Sequence, residues 1–377
     1  MEKCFKPLSK NICAVIDELN SKLIDISFSH VTSDSRKVCA ETIFVALTGT
    51  KVDGHNFIES AAQNGAVAAI VRKGFAAHHN FNMPLIEFAD TREALSALLA
   101  LQTKSMPTKI YAVTGTNGKT TVSYMLERIF TTASLRAGVI GTLGYSIDGI
   151  GKKLSVTTPG AEELWQIFSE MGEHEITHVA IEASSHGLDQ KRVWGIEFAA
   201  GIFTNLTQDH LDYHVDMDNY FAAKAILFEN LASTAPALIN LDDTAAHNFL
   251  KHNKGMAVTY SIEDFTADIY IKIESMTAAG SVFEVHTPWE VFKLHLPLPG
   301  KFNIYNAAAA AGSALATGFS SAHIIQGLES FNGAPGRFSK VLAGQNFAII
   351  VDYAHTPDAL ANVLTAAREF TKGKLFV

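Results

Sequence analysis

Short apolar runs alternate with helical segments along most of this chain, and that alternation narrows the fold more than any other feature. "TIFVAL" (42–47), "AVAAIV" (66–71) and "PLIEFA" (84–89) read as strands. Between the first two lies "FIESAAQNG" (57–65), a helix ending in glycine. Asp90 reads as the N-cap of the next helix, with Glu93 three residues on in a capping-box arrangement. A second series opens with "KIYAVTG" (109–115) and continues with "AGVIGT" (137–142), "ITHVAIEAS" (176–184), "AAGIFTNLT" (199–207) and "PALINLDD" (236–243). Continuous apolar runs separated by helices mark a parallel sheet covered on both faces. The stretch 268–298 alternates with period two and predicts an antiparallel meander, followed by an alanine-rich helix, 303–318, closed by glycine.

After "GAPG" (333–336) come a hairpin, "FSKVLAGQNFAIIVDY", a helix, "TPDALANVLTAAREF", and "KLFV", which reads as a further strand. The pattern predicts an α/β protein of three domains: 1–105, 106–334 and an incomplete one at 335–377. A typical domain runs to about 100–150 residues, so most of the third is expected to lie beyond Val377.

"VTGTNGKTT" (113–121) sits between an apolar strand and a helix, the context that makes a phosphate loop credible. The usual loop places four residues between its glycines. Here Gly115 and Gly118 are separated only by Thr116 and Asn117. Backbone N–H groups and the helix dipole favour phosphate there, Lys119 adds a point charge, and the hydroxyl of Thr120 or Thr121 can reach Mg²⁺.

Other residues are ambiguous by themselves. Glu182 ends "HVAIE", where ligands gather in open α/β sheets, yet it also fits a solvated strand-end acid. His210 and His214 stand four apart, but the zinc-protease pattern needs Glu after the first histidine and Leu211 is there. His210 therefore reads as a metal ligand or a satisfied loop histidine. Lys224, on an amphipathic segment, reads as an ordinary solvated helix lysine. Thr157 and Thr158 in "TTP", with Gln190 and Arg192 in "LDQKR", could hold an anionic substrate.

Net charge is −8 without any Lys/Arg run, so the footprint of a nucleic-acid binder is missing. The longest apolar runs are too short to span a bilayer. Cys4, Cys13 and Cys39 are odd in number and show no C-x-x-C spacing, which fits a reducing compartment. A cytoplasmic protein acting as a monomer is expected.

The motifs "GTNGKTT", "EASSHGLDQKR", "FTNLTQDHLDYH", "YFAAKAILF", "LPGKFNIYNAAAA" and "VDYAHTPDAL" occur in the order found in the Mur ligases. Over nearly its whole length the chain resembles that family, which makes the peptide of the cell-wall precursor. "SSHGL" and "DYAHTPDAL" are most similar to the branch that adds the third amino acid to UDP-N-acetylmuramoyl-L-alanyl-D-glutamate. The resemblance explains the shortened loop as this family's own ATP loop. It implies a three-domain Mur ligase architecture: an N-terminal UDP-substrate domain, a central P-loop ATPase domain with a parallel sheet, and a C-terminal ligase domain.

The resemblance also implies roles. Gly115, Thr116, Asn117, Gly118, Lys119, Thr120 and Thr121 would hold ATP phosphates. Asn303 would lie near the adenine, Arg337 would reach the phosphates and Asp352 the ribose. Thr120 and Glu182 would bind one Mg²⁺ and His210 a second. Lys224 would carry a carbamate beside that second ion, reversing its bland reading. Ser33, Ser35, Thr50, Lys51, Val52, Thr157, Thr158, Ser184, Gln190 and Arg192 would grip the UDP substrate. Lys119, Lys224, His210 and Arg337 would form the catalytic group. The second substrate would be a free amino acid, meso-diaminopimelate or L-lysine; the "GCGGDRD"-like and "DNPR"-like stretches that choose it are absent from this sequence. Two alternatives remain at this point: a folylpolyglutamate synthase-like ligase, and a chain that binds the UDP precursor without ligating.

Overall fold

The computed structural model describes residues 6–49, 52–79, 81–147, 149–341, 344–345, 347, 349–371 and 373–377. The chain divides into two compact units. The first comprises residues 1–106, 159–173 and 190–197, and the second 107–158, 174–189 and 198–377.

The first unit holds a four-stranded parallel sheet among the described residues, in the order β1 (His30–Thr32), β2 (Thr42–Val45), β3 (Ala66–Arg72), β4 (Leu85–Phe88). Three helices precede or connect to it: α1 (Lys10–Lys22), α2 (Ile58–Gln63) and α3 (Thr91–Gln102). Leu95, Leu98 and Leu99 of α3 are buried; each is worth about 1.5–3 kcal/mol of burial. Asp90 caps α3 by accepting the Arg92 N–H at 2.8 Å. Glu93 pairs with the Lys191 ammonium, which also lies 2.8 Å from Asp90. A full ammonium is a stronger partner for that carboxylate than a backbone N–H, so the expected box is replaced by a cap plus an ion pair.

The first unit also takes in two later excursions of the chain, residues 159–173 and 190–197. Residues 190–197 return to the N-terminal segment: Ser9 N–H donates to Gly195 O at 2.9 Å and Glu197 N–H to Pro7 O at 2.8 Å. Helix Ala161–Glu173 packs on α3, and its Gly172 lies so close to Ser105 and Met106 that a Cβ would meet Ser105 C at 2.5 Å.

The second unit begins with β5 (Lys109–Thr114), α4 (Lys119–Thr132), β6 (Ala137–Gly141), β7 (Gly144–Ile147) and β8 (Ile150–Lys152). The chain then makes the helix Ala161–Glu173 (α5) and returns as β9 (His178–Glu182), α6 (Ser185–Asp189) and β10 (Ala200–Phe203). Next come α7 (Leu211–His214), α8 (Met217–Glu229), β11 (Pro236–Asn240), α9 (Ala246–His252) and β12 (Met256–Ser261). The meander is β13 (Ile269–Thr277), β14 (Gly280–His286) and β15 (Val291–Leu296), followed by α10 (Lys301–Ala316) and α11 (Ser321–Glu329).

Among the described residues these strands form one sheet of eleven, ordered β15-β14-β13-β12-β11-β10-β5-β9-β6-β7-β8. Its centre is parallel and both margins are antiparallel. Every residue of β6, β10 and β11 is buried, as expected of strands covered on both faces. In β14 and β15 burial alternates, the period-two signature of the meander. Ala307–Ala311 of α10 are all buried, which lets this helix lie close against its neighbours.

Residues 335–377 belong to this second unit. β16 (Ser339–Lys340) and β17 (Ile350–Val351) pair antiparallel, and α12 (Pro357–Phe370) follows, capped by Thr356. "KLFV" is not a strand: among the described residues none pairs with it, and a strand exists only through its ladder. No helix among the described residues is long and apolar enough to cross a membrane.

Candidate active site

Parallel strands end at one edge of a sheet, and the candidate residues follow those ends. Thr114 at the end of β5 lies opposite Phe203 of β10, and Val113 lies opposite Glu182 of β9. Three strand ends thus bring the loop 115–118, Glu182 and the segment 204–210 together.

The loop itself is tightly held. Thr116 N–H donates to Asn205 O at 2.8 Å and Asn117 N–H to Asn205 Oδ1 at 2.9 Å. The Thr204 hydroxyl donates to Asn117 O at 2.6 Å, and the Thr116 hydroxyl to Thr207 O at 3.0 Å. Gly115 and Gly118 have φ of 143° and 88°. A Cβ on Gly115 would stand 1.9 Å from Thr204 Oγ1, and one on Gly118 2.4 Å from Asn306 Oδ1. Both glycines are therefore required by close approach as well as by conformation.

Lys119 opens α4 and curls back, donating to Gly115 O and Thr116 O, each at 2.8 Å. Desolvation lowers its pKa, and the nearby Glu182 carboxylate partly opposes this. Lys224 of α8 is buried and donates to Gly115 O at 2.9 Å, its ammonium 4.4 Å from the centre of the Tyr220 ring. Burial first, and then Lys119, push its pKa well below the ordinary value. The solvated reading of Lys224 fails because α8 turns this position inward, where no water shell replaces the lost hydration.

Glu182 is buried, its two oxygens accepting the Thr142 N–H and hydroxyl, each at 2.9 Å. His210 is an exposed residue in left-handed conformation, φ 53°, stacked edge-on to His186 at 4.9 Å. Partial desolvation of its ring lowers its pKa, opposed by Asp209 and reinforced by Lys119 and Lys224. His214 points elsewhere, with Nε2 2.9 Å from the Ser185 hydroxyl. Among the described residues no three His, Cys, Asp or Glu side chains are grouped to hold a metal. Magnesium needs fewer: it keeps several waters and takes one or two hard protein oxygens. The Thr120 hydroxyl and Glu182 carboxylate suit it.

Arg337 donates to the Thr120 hydroxyl at 3.0 Å and lies 4.5 Å from the centre of the Tyr353 ring. Its buried Nε has no partner among the described residues. Thr121 is buried in the first turn of α4. Asn303, buried in the first turn of α10, donates to Pro299 O at 2.8 Å. Asp352 accepts the N–H groups of Phe338 and Ala354, each at 2.7 Å.

The predicted substrate residues divide between the two units. In the second, the Thr157 hydroxyl meets that of Thr142 at 3.1 Å, and the Thr158 hydroxyl meets that of Ser184 at 2.9 Å. In the first, a cavity of about 620 Å³ is lined by Ser33, Gln190 and Arg192, together with Lys37, Arg92 and Lys191. Arg192 donates twice to Gln190 Oε1, at 2.7 and 3.2 Å. Ser35 lies in the 3-10 turn Ser35–Lys37, and Val52 is exposed. Thr50 and Lys51 lie outside the described residues.

The Mur ligase middle domain matches residues 113–314, the catalytic-domain pattern of the Mur ligase family residues 27–103, and the Mur ligase glutamate ligase domain residues 336–377. The chain belongs to the Mur ligase family. Among similar Mur ligases is the UDP-N-acetylmuramoyl-L-alanyl-D-glutamate–2,6-diaminopimelate ligase of Oceanobacillus iheyensis, 38% identical over 97% of this chain and 75% of that protein. The Bacillus cereus protein of the same name is 39% identical over 92% of this chain and 71% of its own length. A solved structure of a ligase with that name is 33% identical, covers 91% of this chain and 70% of its own, and superimposes with a TM-score of 0.77.

Several residues of this Mur ligase chain were not singled out by motif reading. Asn205 and Thr204 lie inside "FTNLTQDH", and their polar side chains beside a strand end were the available signal. Thr142 and Glu162 carry no such signal, because their partners are remote in sequence.

Proposed function

We propose that this chain is an ATP-dependent ligase that joins 2,6-diaminopimelate to UDP-N-acetylmuramoyl-L-alanyl-D-glutamate. The observation carrying the proposal is the convergence of Lys119 and Lys224 on Gly115 O beside Glu182 and Thr120. Relatives named for this reaction, matching nearly the whole chain, supply the substrate assignment.

The reaction reads as amide formation. The D-glutamyl carboxylate attacks the γ-phosphorus of ATP, giving an acyl phosphate and ADP. The amine then attacks the acyl carbon, and phosphate leaves. Residues 115–121 cradle the phosphates, with Lys119 and Arg337 placing positive charge on them. Arg337 approaches Thr120 with Nε unpartnered, as suits a guanidinium awaiting phosphate oxygens. Asn303 would lie at the adenine and Asp352 at the ribose. Thr120 and Glu182 would hold one Mg²⁺, His210 and a carbamate on Lys224 a second; bound there, Mg²⁺ offsets charge where two anions must meet. A buried lysine without a carboxylate partner favours its neutral amine, the form that takes up CO₂. Ser33, Gln190 and Arg192, which line the first unit's cavity, receive the UDP precursor. Residues 1–105, 106–334 and 335–377 are proposed as the functional divisions.

The test is phosphate release from ATP in the presence of the UDP dipeptide and 2,6-diaminopimelate, with L-lysine and a folate substrate in parallel. Release that needs the UDP dipeptide and diaminopimelate together, and is lost in Lys119→Ala, is expected. Release driven by the folate substrate instead would overturn the reading. So would tight binding of the UDP dipeptide without turnover.

A further inference from the structure

Glu162, in the first turn of α5, reaches into the wall of the first unit's cavity and takes three hydrogen bonds from two adjacent residues. Its Oε1 accepts both the Ser33 backbone N–H, at 2.7 Å, and the Ser33 hydroxyl, at 2.5 Å. Its Oε2 accepts the Thr32 hydroxyl at 2.9 Å, and Thr32 Oγ1 in turn accepts the Asp34 N–H at 3.1 Å. A serine hydroxyl has one proton and two lone pairs. With that proton directed at Glu162, the Ser33 oxygen can offer the cavity only an acceptor.

We propose that Glu162 is a specificity-determining positioning residue, fixing Ser33 as a hydrogen-bond acceptor so that the cavity selects a ligand presenting an N–H or O–H at that point. This rests on the reading that the cavity receives the uridine-nucleotide precursor, whose imide N–H and sugar hydroxyls are donors of this class. A ligand placing a bare acceptor against Ser33 would leave two sets of lone pairs facing each other. The Thr32 contact completes the clamp, because Thr32 both donates to Glu162 and accepts from Asp34. Its hydroxyl orientation is settled along with that of Ser33.

The opposite arrangement makes a different forecast. If the carboxylate merely occupied donors that a ligand oxygen would otherwise take, removing it would tighten binding.

The experiment is calorimetric titration of the intact chain with UDP-N-acetylmuramoyl-L-alanyl-D-glutamate, using wild type, Glu162→Ala, Glu162→Gln, Ser33→Ala and the Glu162→Ala/Ser33→Ala double variant. Circular dichroism checks that each is folded. Glu162→Ala and Ser33→Ala are each expected to weaken binding about tenfold. The double variant should be no weaker than either single one, because both changes remove the same oriented acceptor. Glu162→Gln, whose amide oxygen still accepts from Ser33, should recover most of the affinity. Unchanged or tighter binding by Glu162→Ala, or losses that add in the double variant, would overturn the proposal while leaving the substrate reading intact. A folded wild type that does not bind the precursor would remove the substrate reading, and the proposal with it. Should Glu162→Ala not fold, Glu162→Asp, whose carboxylate is one methylene short of Ser33, takes its place with the same expected loss.

Discussion

Lys119 and Lys224 donate to the same oxygen, the Gly115 carbonyl, at 2.8 and 2.9 Å. Two ammonium groups on one acceptor repel, and Lys224 is also buried. Nothing in that arrangement makes the charge of Lys224 a source of stability. Replacing it by methionine should leave the melting temperature unchanged or slightly higher, since burial and Lys119 already disfavour its charged form. Turnover should fall by about 10²–10³, the usual cost of removing one preorganised charged partner from a reaction site. Thermal denaturation and phosphate release measured on the same sample separate the two effects. A marked loss of stability in Lys224→Met would assign the residue to the fold.

Gly118 gives a sharper steric case. Its φ of 88° is unfavourable for any residue with a Cβ, and that atom would lie 2.4 Å from Asn306 Oδ1. Left-handed backbone alone costs about 1–2 kcal/mol for alanine. Gly118→Ala should therefore lose at least that much in urea unfolding and weaken ATP binding. Gly74→Ala, also at positive φ (85°) but with nothing within 4 Å of the added carbon, should show the backbone cost without effect on ATP. Equal effects of the two substitutions on ATP affinity would count against close packing of the loop.

His178 supplies a pH dependence remote from the ATP loop. Burial, and secondarily Lys109, lower its pKa from 6.5 to about 4, and its ring packs 5.2 Å from Phe130. The unfolded chain therefore binds this proton more readily than the folded one. The stabilising contribution is complete above pH 6.5 and is lost as pH falls towards 4. Melting temperature should decline through that window, and His178→Phe should flatten the decline. An equally steep decline in the variant would assign the slope to other groups.

Much of the architecture was legible because apolar periodicity reports directly on burial. β5, α4 and β9 lie where the runs place them, and the loop 115–118 stands between strand and helix as its motif requires. The apolar runs left α5 unmarked, and nothing local to that segment says that α3 covers it. The same limit hid Lys224, whose burial depends on which way α8 rolls, and Glu162, whose hydroxyl partners lie some 130 residues away. Motif reading proposed residues for a shared ligand; it passed over the side chains that orient them, Thr142 on Glu182 and Glu162 on Ser33.

Lys191 is such an orienting residue. Its φ is 56°, left-handed without being glycine, and its neighbours Gln190 and Arg192 both line the first unit's cavity. The ammonium is held between Asp90, 2.8 Å away, and Glu93. A side-chain anchor of this kind can sustain a backbone conformation costing about 1–2 kcal/mol. Two substitutions separate anchor from strain. Lys191→Met keeps the strained φ and removes the anchor, so it should destabilise by about 1–2 kcal/mol. Lys191→Gly removes the anchor but also relieves the strain, so its loss of stability in urea unfolding should be smaller. Both should weaken the UDP precursor in calorimetry, since Gln190 and Arg192 are no longer held towards the cavity. If glycine proved the more damaging of the two, the left-handed turn would not be under strain, and the ion pair would have to be reassigned to fastening α3 alone.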